Sequence, residues 1–235
     1  MTKVEKIILW DFEGTLVDRP GRWRSALIEV LDLNETGHQV DYEQIRPYLR
    51  DGFPWHRPDE IHTECNESSS WWASLRPLFT RAYHGVGYPL ARAEELSSYV
   101  REVFINPERF IVYEDTIPTL ATLLEKGWRH AILSNHVPEL KDIISGLGLD
   151  SYFDFCFSSG VTGYEKPNPK AFRHVLQVIG IPRDIWIVGD NVDADIYGAE
   201  SVGIRAILVR NNNKADVRYH AQDLRGAASI IEAGE

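Results

Sequence analysis

Ile7-Ile8-Leu9-Trp10-Asp11-Phe12-Glu13-Gly14-Thr15-Leu16 is the stretch from which the rest of the chain can be read. Four consecutive apolar residues make a short strand buried on both faces, as in parallel sheets covered by helices. The strand runs directly into Asp11, and Gly14 then marks a sharp turn. Ligands of open parallel sheets sit just beyond the carboxyl ends of the strands, so Asp11 stands at the expected mouth of a site. On its own, the same Asp could equally open an ordinary turn.

Moving outward, Trp23, Ala26, Leu27, Val30 and Leu31 repeat at helical spacing. A second stripe, Trp71, Trp72, Leu75, Leu78, Phe79 and Ala82, follows the N-cap candidates Ser68 to Ser70, and Pro77 predicts a kink or a split there. A third helix is expected over about Arg92 to Phe104, and no good strand is predicted between Leu16 and Phe110. From Thr116 onward helices alternate with short apolar runs at Ala131-Ile132-Leu133, Phe155-Cys156-Phe157, Ile185-Trp186-Ile187-Val188 and Ala206-Ile207-Leu208-Val209. A helix is expected from about Ala194 to Val202, and the residues after Val209 read as loop plus a short helix. Alternation of this kind predicts an α/β fold, a doubly wound parallel sheet. The helical stretch then reads as a cap (residues 18–106) inserted into a core formed by residues 1–17 and 107–235.

The 235 residues suffice for a full core plus an insertion. Asp and Glu outnumber Lys and Arg by 35 to 25, and the basic residues are scattered, so no nucleic-acid or membrane-surface footprint is expected. No apolar run is long enough to span a bilayer, and the N-terminus lacks a signal-peptide pattern. Two cysteines, Cys65 and Cys156, make no disulfide framework, and a reduced cytoplasmic protein is the expectation.

The strand ends collect polar residues. Asp11 and Glu13 follow the first strand, Ser134 and Asn135 the second, and Gly189-Asp190 with Asp193 and Asp195 a later one. Lys166 lies between, in Gly163-Tyr164-Glu165-Lys166-Pro167-Asn168-Pro169. Clustered carboxylates repel one another unless a cation neutralises them, and an all-oxygen donor set suits Mg²⁺. Lys166 and the Ser134 hydroxyl would hold an anionic group beside it, which is the outline of a phosphoryl-transfer site. In that outline Asp11 is the nucleophile, Glu13 the acid/base, Asp190 a metal ligand and Asp195 its outer support.

These four segments resemble the motifs of the haloacid dehalogenase superfamily of hydrolases. In order they are Asp11-Phe12-Glu13-Gly14-Thr15, Ser134-Asn135, Lys166-Pro167, and Gly189-Asp190 through Asp195. The resemblance implies a Rossmann-like core with a helical cap between the first and second motifs. It implies further that Asp11 is both nucleophile and Mg²⁺ ligand, and that the Glu13 main-chain carbonyl and Asp190 complete the protein ligands. Ser134, Asn135 and Lys166 would bind phosphate, with Thr15 and Asp195 in support. The chain departs from the family at Glu13, where its phosphatases usually carry Asp. The extra methylene moves the carboxyl by about 1.5 Å, while a misplacement of about 1 Å can cost on the order of 10²-fold. Either the cap compensates, or hydrolysis is weakened and the leaving group needs little acid help. Among loop residues, Arg57 in Trp55-His56-Arg57 and His136 beside Ser134-Asn135 are candidates for reading the substrate, against plain solvated surface. His62 and Cys65 lack a second ligand pair and carry no zinc expectation. The leading function is a Mg²⁺-dependent phosphatase of a small phosphorylated metabolite. The alternatives are a metal-independent 2-haloacid dehalogenase and a non-catalytic binding protein of the same fold.

Overall fold

In a computed structural model, which describes residues 5–63, 67–211 and 216–234, the opening apolar run is the strand β1, Lys6–Trp10. Two-residue strands β2 (Val17–Asp18) and β3 (Ile111–Val112) pair with each other in an antiparallel ribbon. The remaining strands are β4 (Arg129–Ser134), β5 (Phe155–Ser158), β6 (Asp184–Gly189), β7 (Arg205–Val209) and β8 (His220–Ala221). Six of the eight make one parallel sheet in the order β5-β4-β1-β6-β7-β8.

Both faces of that sheet are covered, which is why its strands are apolar without alternation. Ile8, Trp10, Ile132, Val188 and Ile207 belong to one core. Their chain neighbours Ile7, Leu9, Ala131, Ile187 and Leu208 belong to the other. Helices α1 (Arg22–Asn34), α2 (Tyr42–Ile45), α3 (Ser68–Gly85) and α4 (Leu90–Phe104) lie between β2 and β3 in sequence. Next come α5 (Thr116–Glu125), α6 (Leu140–Gly146) and α7 (Ser159–Thr162). The last are α8 (Pro169–Ile179), α9 (Gly198–Glu200) and α10 (Leu224–Ala233). Buried residues of α5, α6 and α10 pack into the first core, those of α8 and α9 into the second.

Three local expectations change. The stretch expected to be free of strands contains Val17–Asp18 at its start, whose partner is Ile111–Val112. The helix predicted over about 194–202 is a wide π turn, Val192–Tyr197, followed by the short α9. A further strand, β8, appears after Val209. Meanwhile α3 runs through Pro77 as one helix, with Trp72, Leu75, Leu78 and Phe79 buried on either side of it. Burying four such side chains, at about 1.5–3 kcal/mol each, outweighs a penalty of roughly 3 kcal/mol for an interior proline. Cys65 lies outside the described residues.

The helices between β2 and β3 are centred on Trp23, which stacks on Phe104 with ring centroids 3.7 Å apart and also meets Phe79 and Phe53. They are fastened to the sheet side by Glu139, just before α6. Its carboxylate accepts from Ser68 Oγ at 2.5 Å, Trp72 Nε1 at 3.0 Å and Arg101 Nε at 2.8 Å. Burial pushes the Glu139 carboxyl up, but these three donors prevail and hold it below the usual carboxylate range. On the opposite flank Asn168 Nδ2 donates to the Pro58 carbonyl at 2.9 Å, and the His62 amide to Gly163 at 3.0 Å.

His130 ties β1, β4 and α5 together inside the first core. Trp10 Nε1 donates to its Nδ1 at 3.0 Å, so Nε2 carries the proton toward the Leu120 carbonyl at 3.1 Å. Burial pushes this imidazole down to about 4. The folded state therefore holds His130 neutral, and its contribution is intact above the unfolded value of about 6.5. That contribution is lost as pH falls from about 6.5 to about 4, up to on the order of 3 kcal/mol. His130→Gln keeps one donor and one acceptor without titrating. Urea unfolding at pH 7 and pH 4.5 is expected to show a smaller acid loss in the variant than in the wild type. Equal losses would show that His130 is not the source.

Candidate active site

The sheet order places three strand ends side by side. Trp10 is in register with Ile132 of β4 and Val188 of β6. Asp11 follows one residue beyond that layer, and Ser134 and Asp190 each two beyond it. Because β4 leaves on one side of β1 and β6 on the other, this edge is the topological switch point. The Asp11 amide still bonds the Val188 carbonyl at 2.9 Å, which fixes where its side chain begins.

Asp11 is the meeting point of the site. Its Oδ1 accepts from Ser134 Oγ at 2.9 Å and from Lys166 Nζ at 2.8 Å. Lys166, 2% exposed, also donates to Asp195 Oδ1 at 2.5 Å. Burial favours the neutral amine, but the charges of Asp11 and Asp195 outweigh it, and the ammonium is held well above the ordinary lysine range. Asn135 sets the lysine's backbone: its Oδ1 accepts the Lys166 amide at 2.7 Å and its Nδ2 donates to the Lys166 carbonyl at 2.8 Å.

Asp11, Asp190 and Asp195 present carboxylate oxygens within 4.8 Å of one another. Both oxygens of Asp195 are already engaged, Oδ1 by Lys166 and Oδ2 by the Asn191 amide at 3.0 Å. Asp190 is the carboxylate left facing Asp11. Burial, then the charges of Asp11 and Asp195, push it up to about 7, as expected of an acid that wants a cation beside it. Two glycines make this crowding possible. A Cβ on Gly189 would lie 2.2 Å from Asp195 Cγ, and one on Gly14, at φ +98°, would lie 2.4 Å from Asp190 Oδ2.

Glu13 lies two residues past Asp11, and its carboxylate meets Arg22, the first residue of α1, at 3.0 Å. Arg22 also approaches Asp190 at 3.9 Å. Burial pushes Glu13 up to about 7 in spite of Arg22 and the buried Arg19. A carboxyl poised there can carry a proton at neutral pH. His136 is buried against the edge of Phe12, with Nε2 3.9 Å from Glu13, and burial lowers it to about 4, so it stands neutral. It lines the cleft above Asp11, whereas Arg57 does not. Arg57 is exposed, pairs with Glu60 at 3.4 Å and faces a smaller hollow.

Several positioning residues carry no sequence signal. Thr15 is buried, and its carbonyl accepts from Arg210 Nε at 2.8 Å, while the same guanidinium meets Asp115 at 2.5 Å. Asn211 Nδ2 holds the Asp190 carbonyl at 2.7 Å. Both follow β7, so a fourth strand end supports the Asp11 and Asp190 loops. Arg19 links the start of α1 to the end of α4, bonding the Arg22 carbonyl at 2.6 Å, with a longer contact to the Val103 carbonyl at 3.4 Å. Arginines of this kind belong to no motif, and only the fold brings them to the site.

A family model described as haloacid dehalogenase-like hydrolase matches residues 5–203. The chain is 32% identical over 220 residues to haloacid dehalogenase-like hydrolase domain-containing protein 3 of Mus musculus, covering 90% of this chain and 84% of that one. It is 27% identical over 222 residues to glyceraldehyde 3-phosphate phosphatase of Methanothermobacter thermautotrophicus, covering 92% and 91%. In fold it is similar to the crystal structure of the putative HAD-hydrolase YfnB from Bacillus subtilis, with TM-score 0.71, 19% identity and coverage of 98% and 100%. Fold and sequence together make this chain a member of the haloacid dehalogenase-like hydrolase family.

Proposed function

We propose that the chain is a Mg²⁺-dependent phosphatase that hydrolyses a small phosphorylated metabolite through an aspartyl-phosphate on Asp11. The observation that carries this reading is the convergence of the Ser134 hydroxyl and the Lys166 ammonium on one oxygen of Asp11. A nucleophile flanked by a fixed cation and a hydroxyl donor suits attack on a phosphoryl group, whose charge lies on its equatorial oxygens. The phosphatase named among its relatives supports the same reaction class.

The residues fit a hard divalent cation. Asp11 and Asp190 would hold it together with the Glu13 main-chain carbonyl, because both oxygens of Asp195 are engaged by Lys166 and Asn191. Mg²⁺ bound there would supply charge stabilisation to the phosphoryl oxygens and relieve the repulsion between the two carboxylates. The chain's own residues do the rest. The Asp11 carboxylate attacks phosphorus, and the bond from phosphorus to the ester oxygen breaks. That oxygen leaves with the electron pair of the broken bond and takes a proton from the Glu13 carboxyl. Water then attacks the phosphoryl group of the aspartyl-phosphate and gives a proton to the Glu13 carboxylate, releasing phosphate and restoring Asp11. Arg22 fixes where the longer Glu13 side chain ends, which is how a residue of the inserted helices compensates for the added methylene.

Hydrolysis of p-nitrophenyl phosphate in MgCl₂ and in excess EDTA tests the reading. Several kcal/mol of metal stabilisation predicts a loss on the order of 10³-fold in EDTA. Turnover that survives EDTA, with chloride released from 2-chloropropionate, would replace this reading with the dehalogenase one.

A further inference from the structure

The cleft has two unlike walls. The sheet side presents Asp11, Glu13, Asp190 and Asp195 with the single cation of Lys166. The opposite wall, from α1 and the segment after α2, presents Arg22, Arg24, Arg46 and Arg50 and no carboxylate. In a chain of net charge −10 this wall inverts the local sign. Arg22 is committed to Glu13 and Asp190. Arg24 and Arg46 share Glu43, at 3.6 and 3.1 Å, but that carboxylate is exposed and outside the cleft, and such surface pairs hold weakly. Arg50 makes no ion pair or side-chain hydrogen bond to any described residue. In the same cleft Trp55 lies flat on Phe53, with centroids 4.7 Å apart. The cleft holds about 1020 Å³, far more than a phosphoryl group fills.

We propose that this wall reads a second anionic group on the leaving group of the substrate. The preferred substrate is a phosphate monoester whose carbon frame also bears a carboxylate or another phosphate. Arg50 and Arg46 seat that anion, and the Phe53–Trp55 face covers the frame. A guanidinium fork suits both anions, and charge-assisted hydrogen bonds are the stronger kind. Discrimination is sharpest where the site has cations that an uncharged analogue leaves unpaired. The inference deepens the phosphatase reading and rests on it.

Two matched pairs test it: 3-phosphoglycerate against glycerol 3-phosphate, and glucose 1,6-bisphosphate against glucose 6-phosphate. In at least one pair the doubly anionic member is expected to have kcat/KM on the order of tenfold higher or more. The pair that responds identifies the anion as carboxylate or phosphate. In Arg46→Gln/Arg50→Gln that ratio is expected to collapse toward one, whereas Arg57→Gln, outside the cleft, retains it. Equal kcat/KM within both pairs would overturn the proposal, as would an intact ratio in the double variant. Calorimetric binding of the same four compounds to Asp11→Asn separates the two readings. Binding preference without turnover of any ester in the wild type would sink the phosphatase reading and leave the wall standing. Absence of preference in binding as well as turnover would sink the wall.

Discussion

Asp11→Asn is expected to lower phosphate-ester turnover by on the order of 10⁴-fold or more while leaving the fold as stable as before. The amide has nearly the shape of the carboxylate, so the register with Val188 and the hydrogen bond from Ser134 can persist. What goes is the negative oxygen that attacks phosphorus in the proposed reaction. Removing one member of a carboxylate cluster also relieves repulsion at Asp190, which Asp11 helps to push up to about 7. Lys166 keeps Asp195 at 2.5 Å and is not stranded. The combination of a dead enzyme and an undiminished urea midpoint is therefore specific. A general disruption would lower both, and residual turnover above roughly one part in a hundred would show that Asp11 is not the nucleophile. Stopped assays with a phosphorylated metabolite and denaturant melts on the same preparation read the two quantities together.

The residues that could be found from sequence share a physical reason for being visible. Asp11, Ser134 and Asp190 are the first polar side chains after strands buried on both faces, so hydrophobic runs point at them. Lys166 is visible because two prolines and a helix start follow it directly. Strands β2, β3 and β8 could not be read, because two residues give no period. Nor could the π turn that carries Asp195 inward, since the lysine that Asp195 meets there comes from a distant segment. The arginines illustrate the remaining gap. Arg57 and Arg50 lie seven residues apart in loops of similar composition, yet Arg50 faces the cleft and Arg57 pairs with Glu60 behind it. In the sequence Glu13 is an isolated departure, whereas in the fold Arg22 stands opposite it, reached by a turn in which Arg22 itself adopts φ 50°. A side chain lengthened on one element and met by a partner on another leaves no local signature.

Lys166→Met is the second large effect, and it is expected in stability as well as rate. Lys166 is 2% exposed, and among the described residues its ammonium is the cation that touches both Asp11 and Asp195. Methionine approximates the stem but leaves two carboxylates facing each other, and Asp195, 1% exposed, keeps the Asn191 amide but loses its cation. Removing one partner of a buried ion pair costs about 3–5 kcal/mol, because the other charge stays behind without compensation. The unfolding free energy of the variant is expected to drop by that amount, with turnover falling on the order of 10³-fold or more as the phosphoryl charge loses its fixed cation. A second substitution decides whether electrostatics or packing is responsible. If stranded charge is the cause, Asp195→Asn destabilises the wild type but recovers stability in the Lys166→Met background, giving a coupling on the order of 1–3 kcal/mol in the double-mutant cycle. Simple additivity of the two losses would mean that the lysine is held by packing, and the reading of this triad as an ion-paired phosphate cradle would have to be given up.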